Sequence, residues 1–322
     1  MFNVSLVCLT DINDLNQAAQ LLEHNSVLDE PVEDEDWPDH EVLTKRWNVI
    51  NNRGMNIQNL QAGTREEIRF IFIQGYNERT KRKDKWFEDP QLRNSLVQKS
   101  DRVNITEVKS VFFEYEEKVY FAPWLPPGSS LNTFTNDLLP SDIWGETIRH
   151  PQTFQIQNDF FYWILNAFTR GNRIVNRAPH TAIRSWTGFH GTTQDSTHNL
   201  SGDGERISAI LGTLAFLFMN DPLKALSVSI DYENERLPLV LGAKGNLQIS
   251  EYEYEGRFSN AYLDDNRKIL LTILAYTKII PSLFQGYEIA RNQNTWNTNS
   301  IEDFTQWIGD EILTRVNTAL QI

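Results

Sequence analysis

The chain contains one cysteine, Cys8, which excludes an internal disulfide and any cysteine-rich zinc site. Cys8 lies in the apolar run Phe2–Leu9, with no base or positive field near it in sequence, and reads as a buried structural thiol. Long hydrophobic runs are also missing: nothing approaches the ~20 consecutive apolar residues of a membrane helix. The longest stretch, Ile207–Met219, is interrupted by Ser208, Gly212 and Thr213 and reads as a core helix. The opening residues, MFNVSLVCLTDIND, lack the basic start and long apolar centre of a secretory signal. Together with the cysteine usage this points to a cytoplasmic protein. Bulk positive charge is absent as well. The net charge is −13, which removes any general electrostatic argument for nucleic-acid binding and leaves only local patches. There is no internal repeat, no Walker loop, no G-x-G-x-x-G fingerprint, no G-x-S-x-G elbow and no kinase motif set. No motif names a cofactor.

Aromatic side chains are abundant, with 9 Trp, 10 Tyr and 18 Phe among 322 residues, so large side chains should dominate a well-formed core. The acidity is concentrated. Residues 29–41 hold eight carboxylates and no Lys or Arg, and without them 30 basic residues face 35 acidic ones. This stretch reads as a solvated loop, or alternatively as a docking strip for a basic partner.

Period-two alternation predicts strands at Phe2–Leu9 and Glu66–Ile73, and a hairpin over 105–123 turning at Glu116-Glu117. The breaker PWLPPG suggests a subdomain boundary near 127. Helices are predicted over Asp11–Glu23, Asp159–Thr169 capped by Asn158, and Glu205–Met219. Two further helices, Asp264–Tyr276 and Ser282–Arg291, should be broken at Pro281, and a last one is capped by Ser300. Between them a meander spans 226–254. Regular βαβ alternation is absent, so the expected class is α+β. Residues 1–127 form a strand-rich part carrying the acidic loop 29–41. Residues 128–322 form a helix-rich part built around the antiparallel meander.

Two segments stand out chemically. Residues 170–206 read as a polar loop between buried helices, gathering Arg170, Arg173, Arg177, Arg184 and Arg206 with His180, His190 and His198. Within it, Gly202, Asp203 and Gly204 precede the expected helix, where backbone amides could receive an anion beside Arg206, or where Asp203 could simply be the N-cap. The basic run Arg79, Lys81, Arg82, Lys83 and Lys85, followed by Trp86, has the mix of charge and aromatic surface that grips a single nucleic-acid strand. The acidic stretch 29–41 is a candidate intramolecular partner for it. A solvated turn after a strand is the alternative. The histidines do not fall at metal-ligand spacings.

His190-Gly191-Thr192 resembles the first element of ADP-ribosyltransferases and RNA 2′-phosphotransferases. That resemblance implies ribose binding by His190 and Thr192, and it requires a later Tyr and Glu. Tyr232 or Tyr252 and Glu253 or Glu288 are the available residues. The stretch TGFHGTT…SGDGERI with the meander also resembles bacterial proteins associated with phage defence, which implies no residue roles.

Three functional readings follow. The first is a non-catalytic binding or assembly component that holds an anionic ligand, nucleotide or nucleic acid, through Arg173, Arg177, Arg184, Thr192 and Arg206. The second is a nucleotide- or nucleic-acid-processing enzyme with His190 and Asp203 catalytic. The third is a purely structural subunit. The stripe Ile301, Phe304, Trp307, Ile308, Ile312 and Val316 on the terminal helix 301–320 must lie on the body, a partner protein or a second copy.

Overall fold

The computed structural model describes all residues except 51–53, 61–66, 90, 92–93, 194–197, 205–206, 208–209, 261–263 and 321–322. It shows a mixed α+β protein with a strand-rich N-terminal region and a helix-rich, partly buried C-terminal region. The chain divides into two compact units, one of Ser5–Pro151 and one of Met1–Val4 with Gln152–Ile322. The division at Pro151 falls beyond the boundary near 127 suggested by the breaker sequence.

In the N-terminal unit an antiparallel sheet runs in the order Thr147–Arg149, Val7–Leu9, Lys118–Pro123, Val103–Tyr115, Ile68–Thr80, Lys45–Val49. Its spine is the long pairing of Ile68–Thr80 with Val103–Tyr115. The predicted hairpin is present. Its turn residues Glu116 and Glu117 have φ of 48° and 59°, as a type I′ turn requires. Asp14 caps the helix Leu15–His24 by accepting from the Gln17 amide at 2.8 Å. The helix Ser129–Leu138 lies on the strands because Gly75 leaves room. A Cβ at Gly75 would stand 2.4 Å from Phe134 and 2.6 Å from Leu138. Beneath it, Trp47 meets Phe112, Phe121 and Phe134 edge-on, and its indole N–H donates to Leu138 O at 3.2 Å.

The C-terminal unit has a second antiparallel sheet, ordered Phe2–Val4, Leu247–Ile249, Glu235–Gly242, Leu223–Tyr232, His180–Thr192, Ile174–Arg177, with Asn199–Asp203 also paired to His180–Thr192. The helix Asn158–Thr169, apolar almost all round, packs on the strands His180–Thr192 and Leu223–Tyr232. The meander therefore exists as expected, and the mostly buried helical run that follows it, 264–292, is a core element.

Several expectations are corrected. Phe2–Leu9 is not one strand: Phe2–Val4 and Val7–Leu9 belong to different sheets. The supposed polar loop 170–204 is largely sheet. Its apolar residues Ile183, Trp186 and Phe189 are buried, and the long strand carrying them pairs on both sides. Bulges along that strand break the strict alternation and hid it from a period-two reading. The helix expected from Glu205 is described only over Leu211–Phe218. Pro281 does not break its helix. A π turn over Ala275–Ile279 precedes it and widens the ring where proline's missing N–H and its bulk would otherwise interrupt the ladder. The last helix, Thr298–Leu320, is capped by Asn297, whose Oδ1 accepts from the Ser300 amide at 3.0 Å, and not by Ser300.

Candidate functional site

The acidic stretch is anchored at one buried residue and is otherwise partly solvated, with Glu30, Glu33, Glu35 and Asp39 exposed. Trp37 is buried with Leu43, Trp86, Phe87 and Val103, and it meets Trp86 edge-on at 5.0 Å. Five of its eight carboxylates are held by cations of the same unit. Asp34 and Asp36 take Lys83 at 2.7 and 2.6 Å, Glu41 takes Arg102 at 2.6 Å, Asp29 takes Arg46 at 2.5 Å, and Glu30 takes Lys45. These contacts remove most of the expected nucleic-acid grip. Trp86 is buried and its N–H donates to Lys81 O at 2.9 Å. Lys83 is neutralised, Lys81 donates to Asp101 O at 2.9 Å, and Arg79 reaches Thr133 at 3.0 Å and Asp137 at 3.4 Å. Only Arg82 and Lys85 of that run are exposed without a partner among the described residues.

A charged cleft of about 480 Å³ lies beside this network, lined by Glu30, Lys45, Glu78, Arg79 and Asp137. Its groups satisfy one another. Lys45 spans Glu30 and Asp137, while the Asn77 amide donates to Asp137 at 2.8 Å. Glu78 accepts from Lys99 at 2.5 Å, the Thr44 amide at 2.8 Å and the Tyr76 hydroxyl at 3.1 Å. Burial works to raise the Glu78 pKa. The Lys99 hydrogen bond and the Thr44 amide outweigh it and hold the carboxyl below its ordinary value. Asp29 is lowered too, chiefly by its hydrogen bond to Arg46. A network in which each cation meets a carboxylate, with the Asn77 Oδ1 the one cleft-side atom without a partner among the described residues, reads as architecture.

The sign of its pH effect follows. Both carboxyls contribute stability that is complete above their unfolded pKa values, near 4, and is lost as pH falls through the lower folded values. Urea midpoints of the protein should hold between pH 7 and 5 and fall by pH 3.5. In Lys99→Met the midpoint should already be lower at pH 7, and its acid dependence shallower. An unchanged acid slope in that variant would show that Glu78 does not carry it.

The predicted residues of 170–206 separate in space. His190 is exposed, opposite Ser201 in the sheet, and its imidazole hydrogen-bonds to no described residue. Asp203 is exposed opposite Gly188, with Oδ1 2.4 Å from where a Cβ of that glycine would sit, and the expected helix start at Glu205 lies outside the described residues. Gly202 lies in the same strand against Ile207 and Phe189, and Gly204 (φ 132°) follows the strand, its carbonyl accepting from the Ile207 amide at 3.2 Å. Thr192 is buried, with its amide donating to Pro222 O at 3.0 Å. Arg184 sits at a bulge and is exposed, and Arg173 lies over the Phe168 ring at 4.6 Å. Arg206 lies outside the described residues. Tyr232 pairs with Thr181, roughly 30 Å along the strand from His190, so it does not join the histidine. Tyr252 is exposed. Among the described residues no three His, Cys, Asp or Glu side chains converge on a point that would hold a metal.

What the C-terminal unit does assemble is a groove of about 570 Å³ between the helix Asn158–Thr169, the edge strand Ile174–Arg177 and the helix Ile280–Asn292. Trp163, Ile174, Ile289 and Trp296 give it apolar walls, and Asn166, Asn172, Gln293 and Arg177 give it polar ones. Gly286 makes the approach possible, because a Cβ there would stand 2.3 Å from the Val175 carbonyl oxygen. Asn176, buried at the strand, donates to Ser282 O at 3.2 Å and to Gln285 at 3.0 Å. Asp159 braces the far wall by accepting from the Trp296 indole at 2.9 Å and from the Tyr287 hydroxyl, whose pKa is pushed up chiefly by burial. Asn166 Oδ1 is buried and has no partner among the described residues. Arg177 is exposed and has no carboxylate partner among them. Sequence reading found Arg177 but missed the amides. Their only signal was the run of Asn166, Asn172 and Asn176 after a buried helix. No family model matches the chain, and no curated protein sequence matches it.

Proposed function

We propose that the protein is a non-catalytic binding protein whose C-terminal groove takes a small ligand carrying an anionic group. The observation that carries this reading is Arg177, an exposed guanidinium with no carboxylate partner among the described residues, at a groove that also offers the side-chain amides of Asn172 and Gln293. Apolar walls with a few convergent polar groups are the usual makeup of a small-molecule site. A small anion is favoured over a nucleic-acid strand because Trp86 is buried and Lys83 is ion-paired. Binding is favoured over catalysis because His190 has no hydrogen-bonded group among the described residues to orient it as a base. The terminal helix Thr298–Leu320 adds a surface for another protein, since its outer turns stay exposed.

Thermal unfolding against inorganic phosphate, nucleotides, dicarboxylates and short RNA tests the groove. A ligand at ~100 times its Kd should add about 2.7 kcal/mol of stability. The shift should vanish in Arg177→Ala and persist in His190→Ala. If no anion raises the unfolding temperature, the anionic ligand is wrong. Turnover of a nucleotide that is lost only in His190→Ala would replace this reading with the enzymatic one.

A further inference from the structure

The helix Leu211–Phe218 and the residues that end it contain no charged side chain. A helix without a polar face is ordinarily covered all round. Here Thr213, Leu214, Phe216 and Leu217 are buried, while Leu211, Ala215, Phe218 and Met219 are not. The open residues sit at i, i+4, i+7 and i+8 and form one continuous stripe. Leu211 is 40% exposed, Phe218 44% and Met219 59%. The stripe continues onto the terminal helix. Phe218 lies against Gly309, where a Cβ would stand 3.1 Å from its ring. Leu313 (61% exposed) and Leu320 (62%) follow Gly309 at i+4 and i+11 on the same side.

Among the described residues, the charge left over on the terminal helix has one sign. Arg315 is taken by Glu311 at 3.3 Å, which leaves Glu302, Asp303 and Asp310 without a cation among the described residues. Glu302 stands seven residues before Gly309, on the stripe's own side. A second copy would bring these carboxylates against their like, within a chain of net charge −13. An anionic membrane surface would repel them as well.

We propose that this face docks a basic amphipathic helix from another protein, with apolar side chains on the stripe and Lys or Arg over the three carboxylates. The inference rests on the protein-partner reading of the terminal helix and is independent of the Arg177 groove. The probe is a fluorescent Leu/Lys peptide of about 18 residues with helical spacing, and the control is the same composition with the spacing scrambled. Fluorescence anisotropy with the full chain should give saturable binding to the first peptide at least tenfold tighter than to the second. Leu211→Lys with Leu313→Lys should weaken it at least tenfold without moving the unfolding temperature, because both residues are exposed. Glu302→Gln with Asp310→Asn should weaken it severalfold and flatten its salt dependence. Equal affinity for both peptides, or no saturable binding up to about 1 mM, would overturn the proposal. So would a dimer in sedimentation that the Leu211/Leu313 variant dissociates, or capture of the protein by lipid vesicles.

Discussion

Replacing Arg102 by methionine is expected to destabilise the N-terminal unit by about 2–4 kcal/mol. The guanidinium is 2% exposed, lies 4.4 Å over the Trp37 ring, donates to Val97 O at 2.9 Å and pairs with Glu41 at 2.6 Å. Removing it leaves Glu41 facing an apolar neighbour and strips the cation from the indole face. The cost stays below the upper range for breaking a buried pair because Glu41 retains some solvent. Arg102→Lys should recover little, since an ammonium cannot reproduce the stack and the separate hydrogen bonds together. The check is urea unfolding followed by tryptophan fluorescence. A loss under about 0.5 kcal/mol would mean that the acidic stretch is held by Lys83, Lys45, Arg46 and the apolar packing without Arg102.

Gly286→Ala is expected to cost about 1–3 kcal/mol and to abolish ligand binding in the groove together with it. The added methyl meets the Val175 backbone carbonyl at 2.3 Å, with Trp163 at 3.4 Å behind it. A backbone atom cannot rotate away, so the helix Ile280–Asn292 must move off the edge strand and widen the groove. Gly171→Ala is the contrasting control. It has open space around it, and its φ of 82° imposes only the local strain of a left-handed residue. The measurement pairs a denaturation midpoint with a titration of whichever anion stabilises the wild type. A variant that is destabilised yet binds normally would place the ligand elsewhere.

Much of the fold was readable from local pattern. The hairpin closing at Glu116-Glu117 and the meander are segments whose alternation and turn residues agree. The helix Asn158–Thr169 announced itself by an almost unbroken apolar run. The strand His180–Thr192 did not, because three bulges and the scattered Arg and His residues erased its period. Pro281 misled in the opposite direction, since a π turn absorbs it and no sequence rule signals that turn.

The candidate site was legible only in part, and for one reason. Sequence lists charges, but freedom of a charge depends on what stands opposite it after folding. Lys83 and Arg177 look alike as written, yet Asp34 and Asp36 neutralise the first and no described carboxylate meets the second. By itself the sequence determined the α+β class, the lack of disulfides and the local elements, because those depend on neighbours along the chain. The tertiary structure alone decided that the acidic stretch is an internal counter-charge, that residues 170–204 are mostly sheet, and that a groove opens at Gly286. Each of those results from contacts between residues far apart in sequence, whose strength depends on distances and burial that no linear pattern records.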